Sequence, residues 1–331
     1  MILKAIRFYK YEPMFKHPIV TPKVELVSRQ TLMIALVDEN NRAWFGECNA
    51  FETDWYHFET IDSVYHTLKK WFEEVKDTEI VSFESAQNIA TSLKDYPAAR
   101  ATVMMAFYQM FHQLTSFQVE MTATINGDLN QRIVHLNHPG RIKLKWNDDI
   151  MNQVKWISQL YPEIPLSIDA NQSLNSEDYI TLQTLKQYHM AFIEEPFLDY
   201  EGIQHQYEGP PIALDEKATD YDAIIDLIHR YPIEVVVIKP FRLGGIDIAL
   251  KLIQELQRKQ IKVVVGGMYE LGLSRYFTAY LSQFGDFAGD ITPMGYYYDE
   301  DIVQNSGILE NGKLTFHQPI VNTTLLQQIK V

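Results

Sequence analysis

Apolar and polar positions repeat along this chain with two periods, and the change from one regime to the next divides it. Residues 2–10 and 24–38 read as strands of a small antiparallel sheet. The clearest is Thr31–Val37, closed by the Asp38-Glu-Asn-Asn41 turn. Residues 12–23 between them hold three prolines and no periodicity, which predicts a loop. That loop carries Met14, Phe15 and Ile19, apolar residues that a solvated loop does not need. A lid over a ligand and a loop docked on its own domain both fit. Phe58, Ile61, Tyr65, Leu68 and Phe72 then fall at helical spacing and predict a helix over 57–75. Two more helices are predicted at 82–93 and 98–114, the second with Met104, Met105 and Phe107 as core residues. Residues 1–115 thus read as an α+β unit.

From about residue 120 the pattern becomes a march of short β-branched runs: 121–126, 142–145, 165–169, 191–194, 212–215, 234–239, 262–266 and 286–290. Most intervening segments, such as 179–188, 223–229 and 247–257, have helical periodicity. Strand and helix alternating eight times predicts an α/β fold, a closed parallel (β/α) barrel over residues 116–304. An open doubly wound sheet lacks support, because no Gly-x-Gly-x-x-Gly follows a strand.

Composition narrows the partners. The chain has 331 residues, 46% hydrophobic and 22% charged, with a net charge of −14. That balance argues against a nucleic-acid backbone as partner, though a local basic pocket can still take a small acidic ligand. Cys48 is the single cysteine, so neither an intrachain disulfide nor a cysteine metal site is expected. The N-terminal stretch is interrupted by charge and no uncharged run approaches a membrane span, so a cytoplasmic protein without membrane partners is expected. The sequence leaves homo-oligomerisation open.

Where the polar residues fall in the march suggests chemistry. Asp169, Glu194, Asp215 and Lys239 each end a run. Barrel active sites sit at that end of the strands. The three carboxylates come from consecutive strands, which stand about 4.8 Å apart, so they are expected to converge on one cation. An oxygen-only set favours Mg²⁺ over zinc. In Ile142-Lys-Leu-Lys-Trp146 the alternation puts Ile142, Leu144 and Trp146 on one face and Lys143 and Lys145 on the other. In an eight-stranded barrel these lysines lie opposite Lys239. A cation flanked by amines suits proton abstraction beside a substrate carboxylate. A second cation two residues away, and the metal, would depress the pKa of a lysine base.

The residues Lys143-Leu-Lys145, Asp169-Ala-Asn171, Ile193-Glu-Glu-Pro196, Leu214-Asp-Glu216, Ile238-Lys-Pro240 with Gly244-Gly245, and Gly266-Gly-Met268 with Glu270 resemble the enolase superfamily, in its muconate-lactonising subgroup. Within it the chain is most similar to the o-succinylbenzoate synthases of menaquinone synthesis. The resemblance implies a capping domain formed by residues 1–115 and completed by about 305–331. It implies a mobile loop at 13–23 and a second substrate-facing loop near Gly46-Glu47. It implies Mg²⁺ held by Asp169, Glu194 and Asp215, with Glu194 rather than Glu195 as ligand. Lys145 would be the base and then the acid of a syn dehydration of a small-molecule carboxylate. Lys143 would stabilise the ene-diolate, and Lys239 would face the opposite side of the ring. Met14, Phe15, Ile19, Asn171, Gly267 and Met268 are the pocket candidates. The chain departs from the family at Lys217, where a small residue is usual, in the segment before Gly140, whose helix would be truncated, and in the tail at His317-Gln-Pro, which lacks the usual Pro-Gly-x-Gly.

Two other readings compete. An N-acylamino-acid racemase or dipeptide epimerase would use Lys145 and Lys239 as two bases. A non-catalytic barrel would bind a ligand through an acidic mouth. Gly266-Gly267 fits either a phosphate site or close backbone approach.

Overall fold

A computed structural model describes residues 1–21, 23–125, 138–201, 203 and 207–329. The cap is built from β1 (Leu3–Tyr11), β2 (Met14–Val20), β3 (Glu25–Ser28), β4 (Thr31–Asp38) and β5 (Ala43–Glu47), followed by α1 (Ile61–Val75), α2 (Phe83–Ala90) and α3 (Pro97–Phe111). β1, β4 and β5 form an antiparallel sheet whose free edge takes the last strand, β16 (Gln327–Ile329). Thr60 and Ser82 cap α1 and α2 through reciprocal bonds with Ser63 and Ser85. The helix predicted from residue 57 starts at Ile61 because Thr60 supplies that cap, which leaves Phe58 exposed ahead of it. Helix α3 is buried on every side from Ala98 to Tyr108, as its small residues allow.

Within the expected loop, residues 14–20 form a strand. β2 pairs with β3 as an antiparallel ribbon, with a register shift between Met14 and Ile19. The shift accommodates Pro18, which cannot donate to a ladder. Phe15 is buried in a ring cluster with Tyr269, Tyr297 and Tyr298, at centroid distances of 5.6, 6.0 and 5.1 Å.

After β6 (Phe117–Glu120) come β7 (Thr122–Ile125), β8 (Arg141–Lys145), α4 (Ile150–Leu160), β9 (Leu166–Asp169), α5 (Tyr179–Leu185), β10 (Met190–Glu194), β11 (Ile212–Leu214), α6 (Tyr221–Arg230), β12 (Ile233–Ile238), α7 (Ile246–Arg258), β13 (Lys262–Val265) and α8 (Gly272–Ser282). Strands β7 to β13 lie side by side in chain order as one curled parallel sheet. The end of the first predicted run, at Asn126, and the segment up to residue 137 lie outside the described residues. β14 (Ser306–Glu310) and β15 (Lys313–Phe316) pair with β6, so the tail supports the base of the sheet before its end returns to β1.

The eighth predicted strand, 286–290, does not form. It makes one bridge, Gly266 to Asp290, with backbone bonds from Asp286 N to Val263 O and from Asp290 N to Val265 O. Glycine is the reason: a Cβ on Gly289 would stand 2.8 Å from the Val265 carbonyl, so the chain approaches β13 too closely for a regular ladder. On the other side side chains replace the ladder. Thr122 donates to the Ala288 carbonyl at 2.9 Å, and Arg141 donates to the same oxygen.

Cap and barrel meet along polar seams. Arg100 of α3 donates twice to Asp247 of α7, at 2.9 and 2.8 Å, and once to the Gly244 carbonyl at 2.6 Å. Gly244 and Gly245, at φ +91° and +126°, make the turn that brings α7 there. Glu47 is buried and accepts the backbone N–H groups of Leu271 and Ser274 at the start of α8, both at 2.8 Å. Its carboxylate therefore fastens the seam.

Candidate active site

The carboxyl ends of β8 to β12 carry a chain of alternating charges. The ladder pairs Lys143 with Ser167 and Lys145 with Asp169, then Asp169 with Glu194. Ile142 and Leu144 point into the core, so both lysines share the face expected of them. The Lys143 ammonium lies 2.6 Å from Glu194, 3.4 Å from Asp290 and 3.6 Å from Asp169. Burial would lower its pKa, but Asp290, Glu194 and Asp169 overcome this and hold it well above the usual ammonium value. Lys239, just past β12, donates to Asp215 at 2.7 Å and to the Tyr56 hydroxyl at 3.0 Å. Arg242 completes this group, 2.9 Å from Asp215 and 3.2 Å from Tyr56. Against the burial that would raise it, Lys239 and Arg242 hold Asp215 far below the usual carboxylate range.

Lys145 differs from both other lysines. Its side chain is 52% exposed, with Asn171 Oδ1 at 3.4 Å and Asp169 at 3.9 Å. Asn171 in turn donates to Asp169. β8 and β12 are separated by three strands, so Lys145 and Lys239 stand on different walls.

The donor set is chemically suited to a hard divalent cation, since every side-chain donor is a carboxylate oxygen. Glu194 is desolvated and neighboured by Asp169, Asp215 and Asp290, which raises its pKa well above the usual range despite Lys143. As the side chains stand, no group of three or more His, Cys, Asp or Glu among the described residues is close enough to hold a metal ion. Lys143 pairs instead with Glu194 and Asp169, and Lys239 with Asp215.

Glu195 faces away from this cluster. It is fully buried, accepts the Asp215 and Lys217 N–H groups at 2.9 and 3.1 Å, and pairs with Lys217 Nζ at 2.7 Å. The unusual Lys217 thus has a structural partner. Among the pocket candidates, Met14 is 63% exposed, while Phe15 lies in its aromatic cluster and Ile19 packs on the core. Gly267 leaves room for Glu270, whose Oε2 a Cβ there would strike. Met268 is half-buried in the turn after β13.

Sequence reasoning passed over Asp290, Arg141, Arg242 and Tyr56. Asp290 had a signal, since it ends the eighth run as Asp169 ends the third. Tyr56 had none: it reaches Lys239 across 183 residues of chain.

Residues 130–318 match the family described as "Enolase C-terminal domain-like". The chain is 27% identical to o-succinylbenzoate synthase from Bacillus subtilis, over 99% of this chain and 95% of that protein. A member of the enolase superfamily from Listeria innocua superposes with a TM-score of 0.86 at 23% identity, covering 100% of this chain and 98% of the other. A dipeptide epimerase from Enterococcus faecalis, complexed with Mg and the dipeptide L-Leu-L-Tyr, superposes at 0.78 with 19% identity, covering 99% and 100%.

Proposed function

Because the chain belongs to the enolase superfamily, we propose that this enzyme is an o-succinylbenzoate synthase, dehydrating 2-succinyl-6-hydroxy-2,4-cyclohexadiene-1-carboxylate to 2-succinylbenzoate and water. The observation that carries the reading is the inequality of its lysines. Lys239 is buried and held by Asp215 and Tyr56, whereas Lys145 is half-exposed with only long contacts. One half-exposed amine and one buried, paired cation suit a one-base syn elimination.

Asp169, Glu194 and Asp215 would hold a divalent cation, Mg²⁺ by the chemistry of the donors, which supplies charge stabilisation for the substrate carboxylate. Lys145 takes the proton α to that carboxylate, and the C–H electron pair moves into an ene-diolate. Lys143, on the same strand face, stabilises the developing negative charge. Collapse of the ene-diolate breaks the C–O bond, and Lys145 returns its proton to the departing hydroxyl as water. The ring becomes aromatic, and Lys239 faces it as a cation–π partner.

Loss of diene absorbance on adding purified protein tests this. Turnover requires Mg²⁺ and falls by about a thousandfold in Lys145→Ala, within the range for losing a general acid–base group. Full turnover in that variant removes Lys145 as the base. Opposed lysines also favour a second reading, a racemase or epimerase. Deuterium exchange into both enantiomers of an N-acylamino acid, faster than dehydration, would establish it instead.

A further inference from the structure

The Lys143 ammonium has three carboxylate neighbours, Glu194 at 2.6 Å, Asp290 at 3.4 Å and Asp169 at 3.6 Å. Glu194 and Asp169 belong to the donor set proposed for the cation, and the role of Asp290 rests on that assignment. An oxygen committed to a divalent ion attracts a nearby ammonium less, and the two cations repel. Asp290 stands outside that set, on the segment that replaces the eighth strand.

Asp290 is also a fixed group. Its Oδ1 accepts from Arg141 Nη2 at 2.6 Å, which leaves Oδ2 toward Lys143. Arg141 is fully buried and bound on several sides: it donates through Nε and Nη2 to the Ala288 carbonyl at 3.2 and 3.0 Å, donates to Ser167, and lies 4.8 Å over the Phe192 ring. Gly266 lets Asp290 come this close, since a Cβ at Gly266 would stand 3.2 Å from the Asp290 Cβ. Lys143 therefore has one stationary partner and two that a metal would claim.

We propose that Asp290, anchored by Arg141, is a positioning residue: the alternate counter-ion that releases Lys143 from Glu194 and Asp169 when a divalent cation binds. Without it, Lys143 has only the metal ligands to pair with and competes with the ion for them.

The test is Mg²⁺ binding measured by calorimetry on the full chain without substrate, so activity does not enter. Asp290→Asn weakens Mg²⁺ about tenfold, the scale of an outer-shell loss. Lys143→Met binds Mg²⁺ more tightly than wild type. In the Lys143→Met background, adding Asp290→Asn changes the affinity less than twofold. An equal loss with and without Lys143 would make Asp290 a direct ligand or a general source of field and overturn the inference, as would no loss in the single variant. If Asp290→Asn fails to fold, Gly266→Ala tests the same point, since it displaces Asp290 and keeps its charge. The expectation there is again weaker Mg²⁺ binding that depends on Lys143. Wild-type protein that takes up no Mg²⁺ removes the ligand set itself and this inference with it. Wild-type uptake without the Lys143 dependence removes the inference alone.

Discussion

At the residue scale, hydrogen-bond direction fixes protonation states near the site. The backbone N–H of Glu59 donates to His57 Nδ1 at 3.3 Å, which requires that nitrogen to be unprotonated. Burial first, and Arg242 second, push the His57 pKa down to about 4 from its ordinary 6.5. The folded state therefore resists the proton that the unfolded chain accepts. Above pH 6.5 both states are neutral there and the stabilisation is complete. It drains away as pH falls from about 6.5 to about 4, by up to ~3 kcal/mol. Thermal melting across that window should show a shallower acid slope in His57→Gln than in wild type. Identical slopes would mean that His57 titrates normally. The same loop carries Tyr56, so its acid sensitivity bears on the hydroxyl that reaches Lys239.

At the element scale, helix α3 is the keel on which the barrel rests. Its first turn presents Arg100 to the first turn of α7, where Asp247 also accepts from Gln87 at 3.0 Å. Both partners are nearly buried, at 7% and 6% side-chain exposure, so removing one strands the other. Arg100→Met should cost about 3–5 kcal/mol in chemical denaturation, the range for breaking a buried pair. Adding Asp247→Asn should recover part of it. A loss below about 1 kcal/mol in the single variant would show that the pair is hydrated, as exposed pairs are. The eighth stave makes a complementary point. Segment 286–290 is held by the Arg141 and Thr122 side chains where a strand would use its backbone, which frees Asp290 to face the mouth.

At the scale of the whole molecule, the site is a charge balance spread over the cap and five strands. A cation that binds only the folded chain stabilises it by mass action, about 2.7 kcal/mol at a hundredfold excess over Kd. Melting in Mg²⁺ should therefore occur several degrees above melting in chelator. Superimposable curves would remove Asp169, Glu194 and Asp215 as ligands. The cap takes part directly, because Tyr56 lies beyond β5 yet bonds to Lys239 and Arg242 of the barrel.

The sequence by itself determined the alternation of strand and helix after residue 120, the parallel run of strands β7 to β13 and the row of charged strand ends. Period-two alternation fixes which side chains share a face, and that is a local property: Lys143 and Lys145 on one side of β8, Glu194 facing the mouth while Glu195 turns to Lys217. Tertiary structure decided what each charge pairs with. The β2–β3 ribbon, the unladdered eighth stave, the burial of Glu47 and the Arg141–Asp290 anchor all depend on contacts between segments that local periodicity does not connect. Alternation along a strand records the direction of a side chain, while its partner is set by packing and electrostatics across the closed molecule.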